Sequence, residues 1–337
     1  MSIRSYRFYI LFIFLLMMVS CKHERKHAID FYYWKTNVSL DDVEQRYFQN
    51  LGCNRLYIRF FDVDNDGKDI HPLAKVKPFD HTALQSEYVP VIFITNRTFN
   101  GINLHDIKDL AQRIFDLTCE IASVNKLPVI NEIQIDCDWT SSTRNDFFYF
   151  LECLKKISNK KITCTLRLHQ IAERQKTGIP PVEKGYLMCY ATSSPVDFSE
   201  KNSILDIAEL KSYLKTINDY PLAFDVALPI YSWAVVQNHL GQIKLISDVT
   251  RTQLREENHL QVLSDGIYQA TDNFFFRGIF INKGFHIKVE EISPELLQEA
   301  KIFLNSYIKR DYGIVYYHLD KSFLEKYSDS VLESMLL

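Results

Sequence analysis

The chain contains 337 residues, of which 47% are hydrophobic and 13% are aromatic, and its formal net charge is −3. This charge excludes the basic surplus that a nucleic-acid-binding surface requires, so the sequence predicts no nucleic acid partner. The length suits one barrel of alternating strands and helices with a large core.

The N-terminal segment has the pattern of a bacterial lipoprotein leader. Two arginines precede an apolar run, Phe8 to Val19, which ends at the small residue Ser20 directly before Cys21. The run is short compared with the roughly 20 residues that a helix needs to span a bilayer, which argues against a permanent transmembrane anchor. Residues 18–21, Met-Val-Ser-Cys, resemble the bacterial lipobox, in which the cysteine receives a diacylglycerol and the new amino terminus is acylated.

This resemblance implies that residues 1–20 are a cleaved signal peptide, that Cys21 is lipidated, and that residues 21–27 form a tether. Acyl chains such as palmitate bury at roughly 0.8 kcal/mol per methylene, so several chains give stable attachment to a membrane. The predicted location is the cell envelope, with the outer membrane favoured. Ordinary secretion and an uncleaved anchor are the alternatives.

The six other cysteines lie in no CxxC pair and beside no histidine at metal-ligand spacing. Several fall inside apolar segments, where cysteine behaves as a small hydrophobic residue, so we expect free core thiols. The sequence also lacks a Gly-rich phosphate loop and a GxSxG elbow, so neither a cofactor nor a metal is predicted. These cysteines are Cys53, Cys119, Cys137, Cys153, Cys164 and Cys189.

Eight short apolar or alternating segments have the pattern of β-strands, each followed by a helix-like segment. Strands that alternate with helices predict a parallel sheet, and eight of them predict an α/β fold closed into a (β/α)8 TIM barrel over residues 28–337. The strand candidates are Ile29 to Trp34, Arg55 to Phe61, Val89 to Thr95, Glu132 to Trp139, Ile162 to His169, Tyr186 to Ala191, Leu222 to Tyr231 and Gly313 to Leu319.

Six segments have the apolar spacing of helices, and the last of them has Ser293 as N-cap and Pro294 at its first position. They are Leu40 to Asn50, Leu104 to Asn125, Ser142 to Ile157, Ile204 to Thr216, Val235 to Ile246 and Pro294 to Lys309. Residues 247–292 break the alternation and predict an inserted rim subdomain between strands seven and eight. Within it, we expect 273–280 to pair with 285–289 around the turn at 282–284.

The fourth strand carries two carboxylates at positions expected to face the barrel interior. Alternation along Glu132 to Trp139 places Gln134, Asp136 and Asp138 on one face and the apolar residues on the other. The apolar face must contact the helices, so the polar face points inward at the catalytic end of the barrel. Two neighbouring carboxylates raise the pKa of one of them, as a general acid requires. A structural ion pair with Arg59 or Arg167 is the alternative.

Three segments resemble the chitinase-like glycosidases of family eighteen and their non-catalytic relatives. Residues 131–138 can be laid on the family's fourth-strand DGxDxDxE, with Asp136 at the last aspartate and Asp138 at the catalytic glutamate. Met188-Cys189-Tyr190 matches a Met-x-Tyr of the sixth strand. Residues 227–232, Ala-Leu-Pro-Ile-Tyr-Ser, match the seventh strand's GxPxYG.

The resemblance implies a glycoside hydrolase that acts on an extracytoplasmic glycan. Asp138 would be the general acid, Asp136 would orient it or share its proton, and Tyr190 would hold the developing intermediate. An N-acetyl group of the substrate would act as the nucleophile. Aspartate is one methylene shorter than the family's glutamate, and in another register Thr140 takes the acid position. A non-catalytic glycan-binding or assembly lipoprotein on the same barrel is therefore the alternative.

Residues at the C-terminal ends of the strands are the other candidates for sugar contact, because function gathers there in a barrel. The predicted substrate-binding residues are Trp34, Trp139, Tyr231, Trp233, Arg59, Arg167 and His169, and further rim candidates are Tyr33, Lys35, Asp62, Asn96, Arg97, Tyr317 and His318. Residues 62–69 begin like a calcium loop, but Leu73 stands at position twelve, where a glutamate belongs. We therefore favour an acidic turn there.

Overall fold

The computed structural model describes residues 27–79, 86–198 and 201–333. The proposed signal peptide, Cys21 and nearly all of the tether lie outside these residues, so the lipoprotein assignment stays a prediction. Among the described residues, no helix is long and apolar enough to cross a membrane.

Sixteen strands lie in the described chain, and eight of them form the barrel. They are β1 (Ile29–Tyr33), β2 (Arg55–Asn65), β3 (Ile70–Leu73), β4 (Glu87–Ile94), β5 (Glu132–Asp136), β6 (Lys161–Arg167), β7 (Lys184–Met188), β8 (Phe224–Pro229), β9 (Ser232–Gln237), β10 (Ile243–Ser247), β11 (Leu260–Ser264), β12 (Ile267–Ala270), β13 (Phe274–Phe276), β14 (Ile279–Ile281), β15 (His286–Glu291) and β16 (Ile314–Tyr317).

The barrel is a closed parallel sheet in the order β1-β2-β4-β5-β6-β7-β8-β16, with β16 pairing back to β1. All eight predicted barrel strands are present, and the predicted (β/α)8 TIM barrel is confirmed. Strand β3 pairs antiparallel with the last residues of β2, Asp62 to Asn65, beyond the part of β2 that pairs with β1.

The described helices are α1 (Asp42–Asn50), α2 (Leu104–Val124), α3 (Arg144–Ser158), α4 (Leu168–Ala172), α5 (Arg174–Thr177), α6 (Ile207–Tyr213), α7 (Arg251–Arg255), α8 (Pro294–Tyr307), α9 (Lys321–Leu324) and α10 (Asp329–Glu333). Helix α1 begins at a capping box in which the Asp41 side chain accepts from the backbone of Glu44. Ser293 caps α8, with Pro294 in its first turn, as predicted.

An antiparallel five-stranded sheet, in the order β10-β9-β15-β12-β11, lies between β8 and β16 in the chain. We call it the inserted sheet. Its buried apolar side chains form a second cluster that includes Ala234, Val236, Tyr268 and Ile287. The sheet already begins at Ser232, before the predicted start of the insertion.

Two predictions for this region are wrong. Residues 235–246 form β9, a turn and β10 instead of a helix, because Val235 and Val236 pair with neighbouring strands and the Asn238 side chain accepts from the turn backbone. The expected hairpin between 273–280 and 285–289 is also absent, since β13 pairs with β14 and β15 pairs with β9 and β12. Short runs of apolar, β-branched residues fit both the helical period and the strand period. Only pairing with other segments of the fold decides which structure forms.

Side chains fill the barrel below its mouth. The Tyr57 and Tyr186 hydroxyls are 2.7 Å apart, and Tyr186 donates to the buried Glu132 at 3.1 Å. Lys161 compensates the Glu132 charge at 2.7 Å. Above this layer, the Tyr32 hydroxyl donates to Gln134 Oε1 at 2.8 Å. The barrel is therefore a packed core with an open upper end, not a pore.

The six cysteines of the described chain are free, as predicted. Four of them are buried, whereas Cys153 is half-buried and Cys119 is exposed on α2. The expectation that they all fill the core is thus wrong for Cys119, which occupies the outer surface of an amphipathic helix.

Candidate active site

A cavity of about 440 Å³ opens at the C-terminal ends of the barrel strands. Ligand sites of TIM barrels lie at this end, and the cavity falls within the size range of small-molecule sites. We call it the mouth pocket. Its walls are largely aromatic, with a few charged groups, and its lining residues are Trp34, Arg59, Asp62, Phe93, Asp136, Arg167, Met188, Tyr190, Ala191, Tyr231, Ser232, Trp233, Ser247, Tyr317, His318 and Phe323.

Asp136 is the buried carboxyl group of the mouth pocket. It is the last residue of β5, its relative exposure is 6%, and its Oδ1 accepts from Thr165 Oγ1 at 2.7 Å. Burial, followed by the nearby negative charge of Asp138, raises the pKa of Asp136 to about 6, although Thr165 and Arg167 oppose the rise. Asp136 can therefore hold a proton near neutral pH, as predicted for one carboxylate of the pair.

Asp138 does not share the inward face with Asp136. Strand β5 ends at Asp136, so the alternation that placed Asp138 inward stops before it. The Asp138 side chain is 39% exposed, and both of its oxygens accept from Arg167, at 2.5 Å from Nε and 2.6 Å from Nη2. This is the bidentate geometry of an arginine with an ionised carboxylate. Asp138 is also not among the described residues that line the mouth pocket.

A second arginine-carboxylate pair, Arg59 with Asp62, lines the mouth pocket. Arg59 Nε donates to Asp62 Oδ1 at 2.6 Å, and its Nη2 donates to the other oxygen. The Arg59 guanidinium also lies over the Trp34 ring, 5.6 Å from its centroid. Three of the predicted rim residues thus form one wall with a fixed orientation.

The adjoining part of the wall is a cluster of aromatic rings, which Trp34 contacts through Tyr317 at 5.5 Å between ring centroids. Tyr317 lies 5.7 Å from Tyr190 and 5.5 Å from Tyr231 between ring centroids, and Tyr231 lies 5.4 Å from Trp233. Burial raises the pKa of Tyr190, so its hydroxyl remains a neutral donor. Tyr190, which was predicted to hold the intermediate, and Tyr231 and Trp233, which were predicted to contact sugar, all line the mouth pocket; these roles stay predictions.

His318 contributes a neutral polar group. Burial lowers its pKa to about 4, and its Nδ1 has no hydrogen-bond partner among the described residues. The imidazole makes edge contacts with the rings of Tyr317 and Phe323, at 5.2 and 5.3 Å. It is therefore an uncharged part of the pocket wall.

Two predicted substrate-binding residues do not lie in the mouth pocket. Trp139 is 0% exposed, donates to the Thr177 carbonyl at 2.9 Å and stacks on Phe147, so it is a core residue. His169 lies exposed on α4, beyond the end of β6, and is not among the described lining residues. Both were predicted by extending the strands two or three residues too far.

Other rim candidates are engaged elsewhere. Tyr33 is buried, and its hydroxyl donates to the Ser39 carbonyl at 3.1 Å. Lys35 bridges Glu44 and Asp320 at 2.7 and 2.9 Å. Asn96 accepts from Thr143, while Arg97 binds both oxygens of Asp64.

The acidic segment at 62–69 forms the β2–β3 hairpin. Its first two carboxylates pair with arginines, and Asp66 accepts from the backbone of the turn. Across the described ranges, no group of three or more His, Cys, Asp or Glu side chains could hold a metal ion. These contacts support the acidic turn that the sequence analysis favoured.

Several lining residues were missed by sequence analysis. Phe93 lies in β4, Phe323 in α9, and Ser232 and Ser247 in the inserted sheet. Phe93 could have been found from the alternation of its strand. Ser247 and Phe323 carry no local signal, because only the folding of the insertion and of the segment after β16 brings them to the mouth.

No protein-family model and no curated protein matches the sequence. Solved structures match over most of the chain. The spore cortex-lytic enzyme SleL of Bacillus megaterium has 13% identity and a TM-score of 0.55, covering 88% of this chain and 72% of its own. SleL of Bacillus cereus has 16% identity and a TM-score of 0.51, covering 92% and 74%. A chitinase of Chromobacterium violaceum has 11% identity and a TM-score of 0.53, covering 92% and 98%. The chain therefore has the barrel fold of these hydrolases.

Proposed function

We propose that this protein is a divergent glycoside hydrolase that binds a glycan in the mouth pocket, outside the cytoplasm. The observation that carries the proposal is Asp136, a buried carboxyl group with a pKa of about 6 in an aromatic-lined pocket. A general acid works best when its pKa lies near the working pH. The names of the structural neighbours, a chitinase and cortex-lytic enzymes, support glycan as the substrate class.

The pocket offers the contacts that such a reaction needs. Tyr190, Tyr231 and Trp233 present ring faces and polar tips to a sugar. Protonated Asp136 donates its proton to the leaving oxygen, and the N-acetyl group of the substrate is the nucleophile that the family resemblance implies. Arg167 and Arg59 also line the pocket and are hydrogen-bond donors.

We assign the proton donor to Asp136 and not to Asp138. A general acid must carry a proton and reach the leaving group, whereas Asp138 accepts two hydrogen bonds from Arg167 outside the pocket lining. In the proposed mechanism Asp138 acts through its charge, which helps to keep Asp136 protonated.

The second candidate function is glycan binding without turnover. The Asp138–Arg167 pair favours it, because the position that matches the family's catalytic glutamate is occupied by an ion pair. The deciding experiment measures reducing ends released from N-acetylhexosamine polymers and, in parallel, binding of chitin oligosaccharides by calorimetry. Binding without release supports the second function, and neither binding nor release contradicts both.

The pH profile of Asp138→Asn shows whether Asp136 or Asp138 is the general acid. The variant loses the charge that raises the Asp136 pKa and leaves Arg167 unpaired, so this pKa falls. We expect turnover at pH 7 to drop about tenfold for each pKa unit lost, and to recover at lower pH. Rates measured from pH 4 to 8 check this.

Asp64→Asn is the matched control, because Asp64 also pairs with an arginine but lies outside the described pocket lining. Its profile should equal that of the parent protein. Loss of activity in Asp138→Asn at every pH would instead make Asp138 the acid.

A further inference from the structure

Trp233 reaches the mouth pocket from the inserted sheet and not from a barrel strand. It lies in β9, directly across from Glu290 in β15. Its ring is partly exposed and contacts Tyr231 in the pocket wall. The side of the pocket formed by Trp233 therefore depends on how the inserted sheet is held against the barrel.

Glu290 holds the indole of Trp233 by its polar edge. Trp233 Nε1 donates to Glu290 Oε2 at 2.7 Å, and Ser203 Oγ donates to the same oxygen. The other oxygen accepts from the Ser203 backbone N–H at 3.1 Å and from Lys288 Nζ at 2.5 Å. Glu290 is only 2% exposed, so these four donors replace its hydration.

The cluster also joins three parts of the protein. Ser203 belongs to the segment between β7 and α6, Lys288 and Glu290 belong to β15, and Trp233 belongs to β9. Lys288 compensates the charge of Glu290 and donates to the Lys201 carbonyl at 2.5 Å. A buried carboxylate that accepts four hydrogen bonds is held in one orientation. Its bond to Trp233 Nε1 therefore also fixes the orientation of the indole.

We propose that Glu290 is a positioning residue that fixes the ring of Trp233 as a wall of the glycan site. The proposal rests on the proposed function for its ligand, whereas the geometry of the indole can be tested in the free protein. A stacking surface that is already ordered avoids the entropy cost of ordering it upon binding. Glu290 is not among the described residues that line the mouth pocket, so we expect it to affect binding and not the proton transfer.

Glu290→Gln tests the role with little change in shape. A glutamine amide has one acceptor oxygen and one NH2 group, so the NH2 must face donors on one side of the cluster. In the free protein, we expect the Trp233 indole N–H resonance to shift and acrylamide quenching of its fluorescence to increase. Trp233→Phe assigns both signals. Binding of chitin oligosaccharides should weaken about tenfold, as expected for loss of an interaction with a charged group.

A double-mutant cycle separates positioning from general loss of structure. Phenylalanine cannot donate to Glu290, so Glu290→Gln should weaken binding by no more than about twofold in the Trp233→Phe background. For an active enzyme, Glu290→Gln should raise KM and leave kcat nearly unchanged. Ser203→Ala removes one donor to the same oxygen. It should change the indole signals and glycan binding in the same direction as Glu290→Gln, but less.

Asp265→Asn is the matched control, because Asp265 is a carboxylate next to β11 that pairs with Arg251 and is not one of the groups bonded to Glu290. It should leave the indole signals unchanged. The proposal is overturned if the indole resonance does not shift in the folded Glu290→Gln and Ser203→Ala proteins. It is also overturned if Glu290→Gln weakens glycan binding as strongly in the Trp233→Phe background as in the parent protein. If the parent protein binds no glycan while the indole signals respond as expected, the positioning role stands and the proposed function fails.

Discussion

Asp136→Asn is expected to abolish glycan hydrolysis and, at the same time, to make the folded protein more stable at pH 7. The amide has nearly the shape of the acid and can still accept from Thr165, but it has no proton to give to a leaving group. Loss of a general acid costs on the order of 10²–10⁴-fold in rate. Reducing-end release measures this, and calorimetric binding of the same substrate should persist.

The gain in stability follows from the raised pKa of Asp136. In the folded protein this pKa rises from 3.8 to about 6, so between these values the folded state keeps a proton that the unfolded state releases. The free energy of unfolding therefore decreases as pH rises through this window. The rise corresponds to about 3 kcal/mol, an upper value because other groups relax around the charge. The Asp136→Asn substitution removes this loss of stability, because asparagine does not ionise.

Urea unfolding at pH 4 and pH 7.5 checks the sign. The parent protein should lose more stability than Asp136→Asn between the two values. Asp30, whose burial also raises its pKa to about 6, is present in both proteins and cancels in the comparison. Equal pH dependence of the two proteins would contradict the burial of an ionising Asp136, and full activity of the variant would remove Asp136 as the proton donor.

Cys21→Ser is expected to abolish lipid attachment and signal-peptide cleavage completely. The proposed lipidation attaches acyl chains to the sulfur, and serine cannot accept them by the same thioether linkage. The variant should migrate as the unprocessed precursor, which gel mobility measures. Cys119→Ser is the control, because this exposed thiol lies on the outside of α2. A Cys21→Ser protein with the same gel mobility as the processed parent would disprove the assignment of the anchor.

The barrel could be predicted because each of its strands is short, apolar and set between polar segments. The end of a strand could not be predicted as well. The alternation of residues 132–139 continues past Asp136 in the sequence, whereas the hydrogen-bonded pairing of β5 with its neighbours stops there. Asp138 and Trp139 were misplaced for this reason, since pairing partners and not local pattern determine where a strand ends.

Only part of the wall of the mouth pocket could be predicted from the sequence. Tyr190 and Tyr231 follow barrel strands and could be predicted from strand ends alone. The contact between Trp233 and Glu290 joins residues 57 positions apart through the pairing of β9 with β15. We predicted a strand near β15, but we predicted a helix from residue 235, within β9. Chain segments that fold onto each other over such distances leave no periodic signal in the sequence.

The chain enters the barrel at β1 on the side away from the mouth pocket, with Ile29 pairing to Ile314 at the base. A lipid on Cys21 would be separated from His27 by six residues, which extend to at most about 20 Å. If the barrel stands upright on this short tether, its base lies close to the bilayer and the pocket opens outward. An enzyme held in this way would reach polymers that hang at about the height of the barrel, whereas sugars attached to lipid headgroups beneath it would lie out of range.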